Sequence, residues 1–223
     1  MTCRVKAKRF GAVLLAMFFH AASCISPCAA TPSPSLDSVC RDLTAYKVTS
    51  GSFVQERTAA NLRRPLKSQG NFVICDEGIA WKTEKPVSSL LAVSRDKIIQ
   101  VAPDGRKTMI DGSGNETFKS IAGTLATVFS GDRTELEKNF HVSFSSAGSS
   151  PEGNDWMIRL VPKDSTIAAA MKSIVMEGTS GNESFISSVS IEEQGGAGIR
   201  YFFSNQVHRT GLTDDEKAYF SAE

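Results

Sequence analysis

The stretches G-S-F-V-Q-E-R at Gly51–Arg57, R-P-L-K-S-Q-G-N-F at Arg64–Phe72 and G-I-A-W-K-T-E-K-P at Gly78–Pro86 follow one another with little between them. Each alternates apolar and polar side chains, and each is bounded by Gly or Pro. A period of two, interrupted at short intervals by turn formers, marks consecutive antiparallel strands with one dry and one wet face. Successive side chains point to opposite sides of a strand. Phe53 and Gln55 therefore share a face of the first strand, Phe72 and Ile74 of the second, and Ile79 and Trp81 of the third. The apolar members of these sets are expected to point inward.

The same reading extends downstream. After the strands Ser52–Arg57, Lys67–Cys75 and Ile79–Thr83, further strands are predicted at Ser88–Val93, Lys97–Val101 and Lys107–Ile110. Pro86, Asp104-Gly105 and Asp111-Gly112 separate them as turn signals. The period then changes. Phe118, Ile121, Ala122, Leu125, Val128 and Phe129 form a wide apolar stripe at helical spacing, closed by Gly131. Thr134 with Glu137 suggests a capping box for a second short helical turn. Strand alternation resumes at His141–Ser145 and Trp156–Val161, followed by a helix over Ser165–Met171 and strands at Ile174–Glu177, Phe185–Glu192 and Ile199–Ser204. Gly195-Gly196-Ala197-Gly198 reads as a hairpin turn.

Helices are expected at both ends. Leu36, Val39, Cys40 and Leu43 fall at i, i+3, i+4 and i+7, which predicts an amphipathic helix over Ser35–Tyr46. A terminal helix over Leu212–Phe220 carries Thr213 and Glu216 as its capping box. The fold class is mainly β with α: roughly ten antiparallel strands in a curled, unclosed half-barrel covered by short helices. A curled sheet needs apolar filling for its concave face. The stripe at Phe118, Ile121, Leu125 and Phe129 serves either as permanent core or as a movable lid.

The first thirty residues read as a secretory signal. Arg4, Lys6, Lys8 and Arg9 precede an apolar run from Phe10 to Phe19, and mostly small residues follow to Ala30. The run is too short for a membrane span, which needs about twenty residues. Cleavage after Ala30 would release a domain over residues 31–223. Cleavage before Cys24 would instead leave an acylated cysteine. The first outcome predicts a periplasmic chain starting at Thr31, the second a membrane-anchored one.

Removing that segment leaves 21 basic against 24 acidic residues, a net charge of −3. No basic stripe with interleaved aromatics remains, which argues against a nucleic-acid partner. Cys40 and Cys75 then form an even pair in a compartment that permits disulfides. They read either as small buried hydrophobes or as a bridge over about 35 residues, worth roughly 3–4 kcal/mol.

Signals for catalysis are sparse. His141 and His208 have no second ligand at metal spacing, and no G-x-S-x-G, H-E-x-x-H, P-loop or G-x-G-x-x-G fingerprint occurs. Asn115-Glu116-Thr117 and Asn182-Glu183-Ser184 match glycosylation sequons, which matter only in a eukaryotic secretory pathway. No catalytic residue, metal or cofactor is assigned, and a secreted enzyme or inhibitor on a curved sheet is the weakest reading.

Several motifs in order resemble the periplasmic outer-membrane lipoprotein carrier family, the LolA-like proteins. Phe53-x-Gln55, R-P-L-x-S-x-G at Arg64–Gly70 and W-x-T-x-x-P at Trp81–Pro86 are similar to its opening strands. Leu160-Val161-Pro162-Lys163, Phe202-Phe203-Ser204-Asn205 and Leu212-Thr213-Asp214-Asp215-Glu216 resemble its later passages. The resemblance implies a monomeric carrier that takes acyl chains of lipoproteins into a hydrophobic cavity. Its partners would be an inner-membrane exporter as donor and an outer-membrane acceptor. The cavity residues would be Phe53, Phe72, Ile74, Ile79, Trp81, Phe118, Ile121, Leu125 and Phe129. The best-known carriers place an Arg-Pro pair shortly before the strand tryptophan, where the arginine latches a helical lid. Cys75-Asp76-Glu77 stands there instead, which leaves the cargo open between a lipoprotein and another amphiphile such as a glycolipid.

Overall fold

The computed structural model describes residues 33–94, 97–111, 132–147, 154–181 and 183–221. The signal segment with Cys24 and Cys28, the stripe from Phe118 to Phe129, and Asn115 and Asn182 of the two sequons lie outside the described residues.

Helix α1 (Leu36–Leu43) leads into six strands: β1 (Val48–Thr58), β2 (Leu66–Cys75), β3 (Gly78–Lys85), β4 (Ser89–Ser94), β5 (Lys97–Val101) and β6 (Lys107–Asp111). Helix α2 (Arg133–Asn139) precedes β7 (Phe140–Ala147) and β8 (Asp155–Pro162). Helix α3 (Ser165–Ala170) connects to β9 (Met171–Thr179), β10 (Phe185–Glu193) and β11 (Gly198–Arg209), and α4 (Asp214–Phe220) closes the order.

Local chemistry sets most boundaries. The Ser35 hydroxyl accepts from the Ser38 backbone N–H, and Ser38 bonds back to the cap in return. Thr213 and Glu216 make the expected reciprocal box at α4. At α2 the expectation is corrected: Asp132, not Thr134, is the cap. Its carboxylate accepts from the N–H groups of Thr134 and Glu135, so Thr134 lies inside the helix. Gly195 and Gly196 sit at φ +86° and +83°, as the β10–β11 turn requires.

All described strands join one antiparallel sheet in the order β6-β5-β4-β3-β2-β1-β11-β10-β9-β8-β7. Two meanders are thus stitched together by the pairing of β1 with β11, where Phe53 faces Phe203 across the ladder. Strands β6 and β7 end the sheet without pairing to each other among the described residues, so the half-barrel stays unclosed.

The inner face carries the main core. Phe53, Phe72, Ile79, Trp81 and Val93 from one half join Phe140, Trp156, Ile158, Leu160, Ile174, Met176, Ile186 and Val189 from the other, with Val39 and Cys40 of α1 and Leu136 of α2 packed among them. At about 1.5–3 kcal/mol for each fully buried large side chain, this cluster dominates the driving force for folding. Trp156 packs against Gly178, where a Cβ would come within 2.2 Å of its ring. An Arg133 ion pair with Asp37 ties α2 to α1.

The outer face has a smaller cluster of Ala80, Ala92, Ile99 and Phe220, which docks α4. Cys75 packs against this outer cluster, whereas Cys40 belongs to the inner core. In this structure both cysteines are free thiols, which fits the reading of them as small hydrophobes. The sheet separates them because Cys75 alternates with the inward Ile74.

Candidate functional site: an inner-face cavity

A cavity of about 610 Å³ opens on the inner face, between the end of α1, the β2–β3 turn, α2 and the β10–β11 edge of the core. Its volume is within the roughly 300–1,000 Å³ of small-ligand sites. Phe72, Ile74 and Ile79 of β2 and β3, Ile186 of β10, Phe203 of β11 and Leu43 of α1 are its apolar lining residues. Phe72 and Phe203 meet edge to face at 4.9 Å. This geometry favours aromatic pairing.

Alternation brings Phe72, Ile74 and Ile79 inward, as read from the sequence. The β11 contribution depends on a bulge. Gly51 faces two residues of β11, since Ser50 pairs with Val207 and Ser52 with Ser204. Asn205 adopts φ +52°, the left-handed conformation that Asn tolerates better than most residues. The extra residue resets the phase, so Gln206 and His208 line the cavity while Val207 is 53% exposed. Without the bulge, Asn205 and Val207 would face inward.

His208 is held at the cavity's edge by three groups. Its ring is parallel to Tyr46 at 3.7 Å and to Phe185 at 4.7 Å between centroids. Thr49 Oγ1 lies 2.9 Å from Nδ1. Burial lowers the His208 pKa, offset in part by the Glu183 carboxylate and the Ser184 backbone. This hydroxyl–imidazole contact is a cross-strand pair of the β1–β11 ladder.

The structure divides the expected cavity residues. Phe72, Ile74 and Ile79 line the void. Phe53 and Trp81 lie beside it in the packed core, where Tyr201 touches both, at 6.0 and 6.1 Å between ring centroids. Phe118, Ile121, Leu125 and Phe129 lie outside the described residues. Ile186, Phe203, Tyr46 and His208 were not expected here; the Asn205 bulge and the β1–β11 pairing bring the β11 residues in. Among the described residues no group of three or more His, Cys, Asp or Glu is placed to hold a metal, and no helix is long and apolar enough to cross a membrane.

A family model described as outer membrane lipoprotein carrier protein LolA-like matches residues 28–197. Among solved structures, a DUF1329 family protein from Desulfovibrio piger aligns over 84% of this chain and 95% of its own, at 11% identity and a TM-score of 0.48. The Mycobacterium tuberculosis lipoprotein LppX aligns over 80% and 97%, at 11% identity and 0.45. A LolA superfamily protein from Nitrosomonas europaea aligns over 81% and 94%, at 9% identity and 0.41. A curated Bifidobacterium adolescentis protein, described as an AAA ATPase forming ring-shaped complexes, is 30% identical over 112 residues, 49% of this chain. The chain spans only 21% of that relative's length.

Proposed function

The chain belongs to the LolA-like family, and we propose that it is a periplasmic carrier that shelters the acyl chains of a lipoprotein or related lipid between the inner and outer membranes. One observation supports this reading: among the described residues the inner face keeps an open cavity, with Phe72, Ile74, Ile79, Ile186 and Phe203 among its lining. A hydrocarbon chain is the ligand such walls suit, at about 0.8 kcal/mol per buried methylene. A long chain buried throughout would supply roughly 10 kcal/mol, too much for easy release. Partial burial in an open cavity keeps transfer reversible.

An inner-membrane exporter as donor and an outer-membrane acceptor are the partners this route requires. The test is mass spectrometry of the protein from its native envelope, reading N-terminus and co-purifying lipid together. The account expects a chain beginning near Thr31, no diacylglycerol on Cys24, and a bound acyl lipid. A lipid adduct on Cys24 would make the protein an anchored acceptor of the same fold. Lipid-free protein that also fails to bind an acylated peptide would refute the carrier reading.

A further inference from the structure

Among the described residues, the cavity combines apolar side chains with an acidic mouth. Asp76 and Glu77 from the β2–β3 turn and Asp132 and Glu135 from the start of α2 line it, against the one ammonium among the described lining residues, that of Lys47. Asp76, Glu77, Asp132 and Lys47 are exposed, whereas Phe72, Ile79 and Ile186 are buried. The charges therefore sit at the lip and the hydrocarbon below. Glu135 is offset by Lys138 at 3.3 Å, and Asp132 is engaged as the α2 cap. Asp76 and Glu77 make no ion pair among the described residues. The Glu77 carboxylate accepts from the Cys75 thiol, a neutral donor that leaves its charge in place.

An apolar pit under a negative lip complements a molecule with a hydrocarbon tail and a cationic head. We infer that the cavity selects amphiphiles whose head group carries a positive charge, an amine above all, over those with a carboxylate or phosphate head. This inference rests on the carrier reading and narrows it. Among the described lining residues an anionic head would meet four carboxylates against the one ammonium of Lys47. Exposed charges are individually weak and screened by salt, so the selectivity is roughly five- to tenfold in Kd at low salt.

The test titrates the full chain with dodecylamine, dodecanol and laurate, each below its aggregation concentration, at about pH 8, where His208 is neutral. The amine is expected to bind tightest, the alcohol next and laurate weakest. That spread should collapse at about 0.5 M salt and in an Asp76→Asn, Glu77→Gln variant, whose dodecanol affinity and melting temperature stay unchanged. Equal affinities for the three ligands, or laurate binding tightest, would overturn the inference while leaving the carrier reading intact. A preference that survives the double substitution would remove it from this lip. No saturable binding of any of the three would instead overturn the carrier reading beneath it.

Discussion

The imidazole of His208 lies parallel to the phenol of Tyr46, with 3.7 Å between centroids and 1° between planes. The two residues stand near opposite ends of the chain, and only the β1–β11 ladder brings them together. Phe185 stacks on the same imidazole, so a titratable group is built into the aromatic edge of the cavity.

That stack makes stability pH-dependent in a definite direction. Burial holds the folded pKa of His208 below its ordinary 6.5, so the unfolded chain binds more protons as the pH falls. Stability is complete above about pH 6.5 and declines as the pH drops through that value toward the folded pKa. Glu192 and Asp214, held low by hydrogen bonds from Lys172 and Lys217, lose their contributions only at more acid pH. Urea midpoints measured at about pH 8 and pH 5 should differ for the native chain, and much less for His208→Gln. Equal native midpoints at the two values would contradict this.

Gly178 is a tight test of the inner core. An added Cβ would lie 2.2 Å from the Trp156 ring and 2.2 Å from the Phe185 carbonyl oxygen, and neither can yield without moving the sheet. Gly178→Ala should cost about 1–3 kcal/mol by denaturant titration, the usual range for overpacking. Gly181→Ala, whose nearest neighbour would be 3.9 Å away, should change little.

The cysteines give a third expectation. Burial pushes the Cys40 thiol up to about 11 and the Cys75 thiol up to about 12, so neither offers much thiolate at neutral pH. Both should react slowly with a thiol reagent in the native chain and fully once it is unfolded. Reductant should leave the melting temperature unchanged. A lower melting temperature on reduction would mean that a bridge joins them after all.

Much of this architecture is legible in local pattern. Period-two alternation at Phe53, Phe72, Ile74, Ile79 and Trp81 assigns the inner face correctly, and all five meet in one core. The same alternation, carried one residue further, puts Cys75 outward and argues against its bridge to Cys40. The pairing of β1 with β11 leaves no local signature, because a ladder between the ends of a chain depends on closing the whole meander. The bulge at Asn205 interrupts the alternation, which is why the last strand is predicted to stop at Ser204 and His208 is not placed at the cavity. The left-handed tolerance of Asn is the one sequence signal for it.

The central claim is that the void bounded by Phe72, Ile74, Ile79 and Phe203 takes an acyl chain. The direct measurement is the affinity of a lauroylated peptide for the native chain, for Ile74→Trp and for Val207→Trp. Ile74 is half-buried on the cavity wall, whereas Val207 is exposed on the opposite face of β11. Displacing two or three methylenes from the cavity should weaken binding roughly tenfold or more in Ile74→Trp. Saturable binding near one to one is expected for the native chain and for Val207→Trp, with all three proteins similarly stable. Native protein that does not bind, or Ile74→Trp that binds as well as Val207→Trp, would contradict the account.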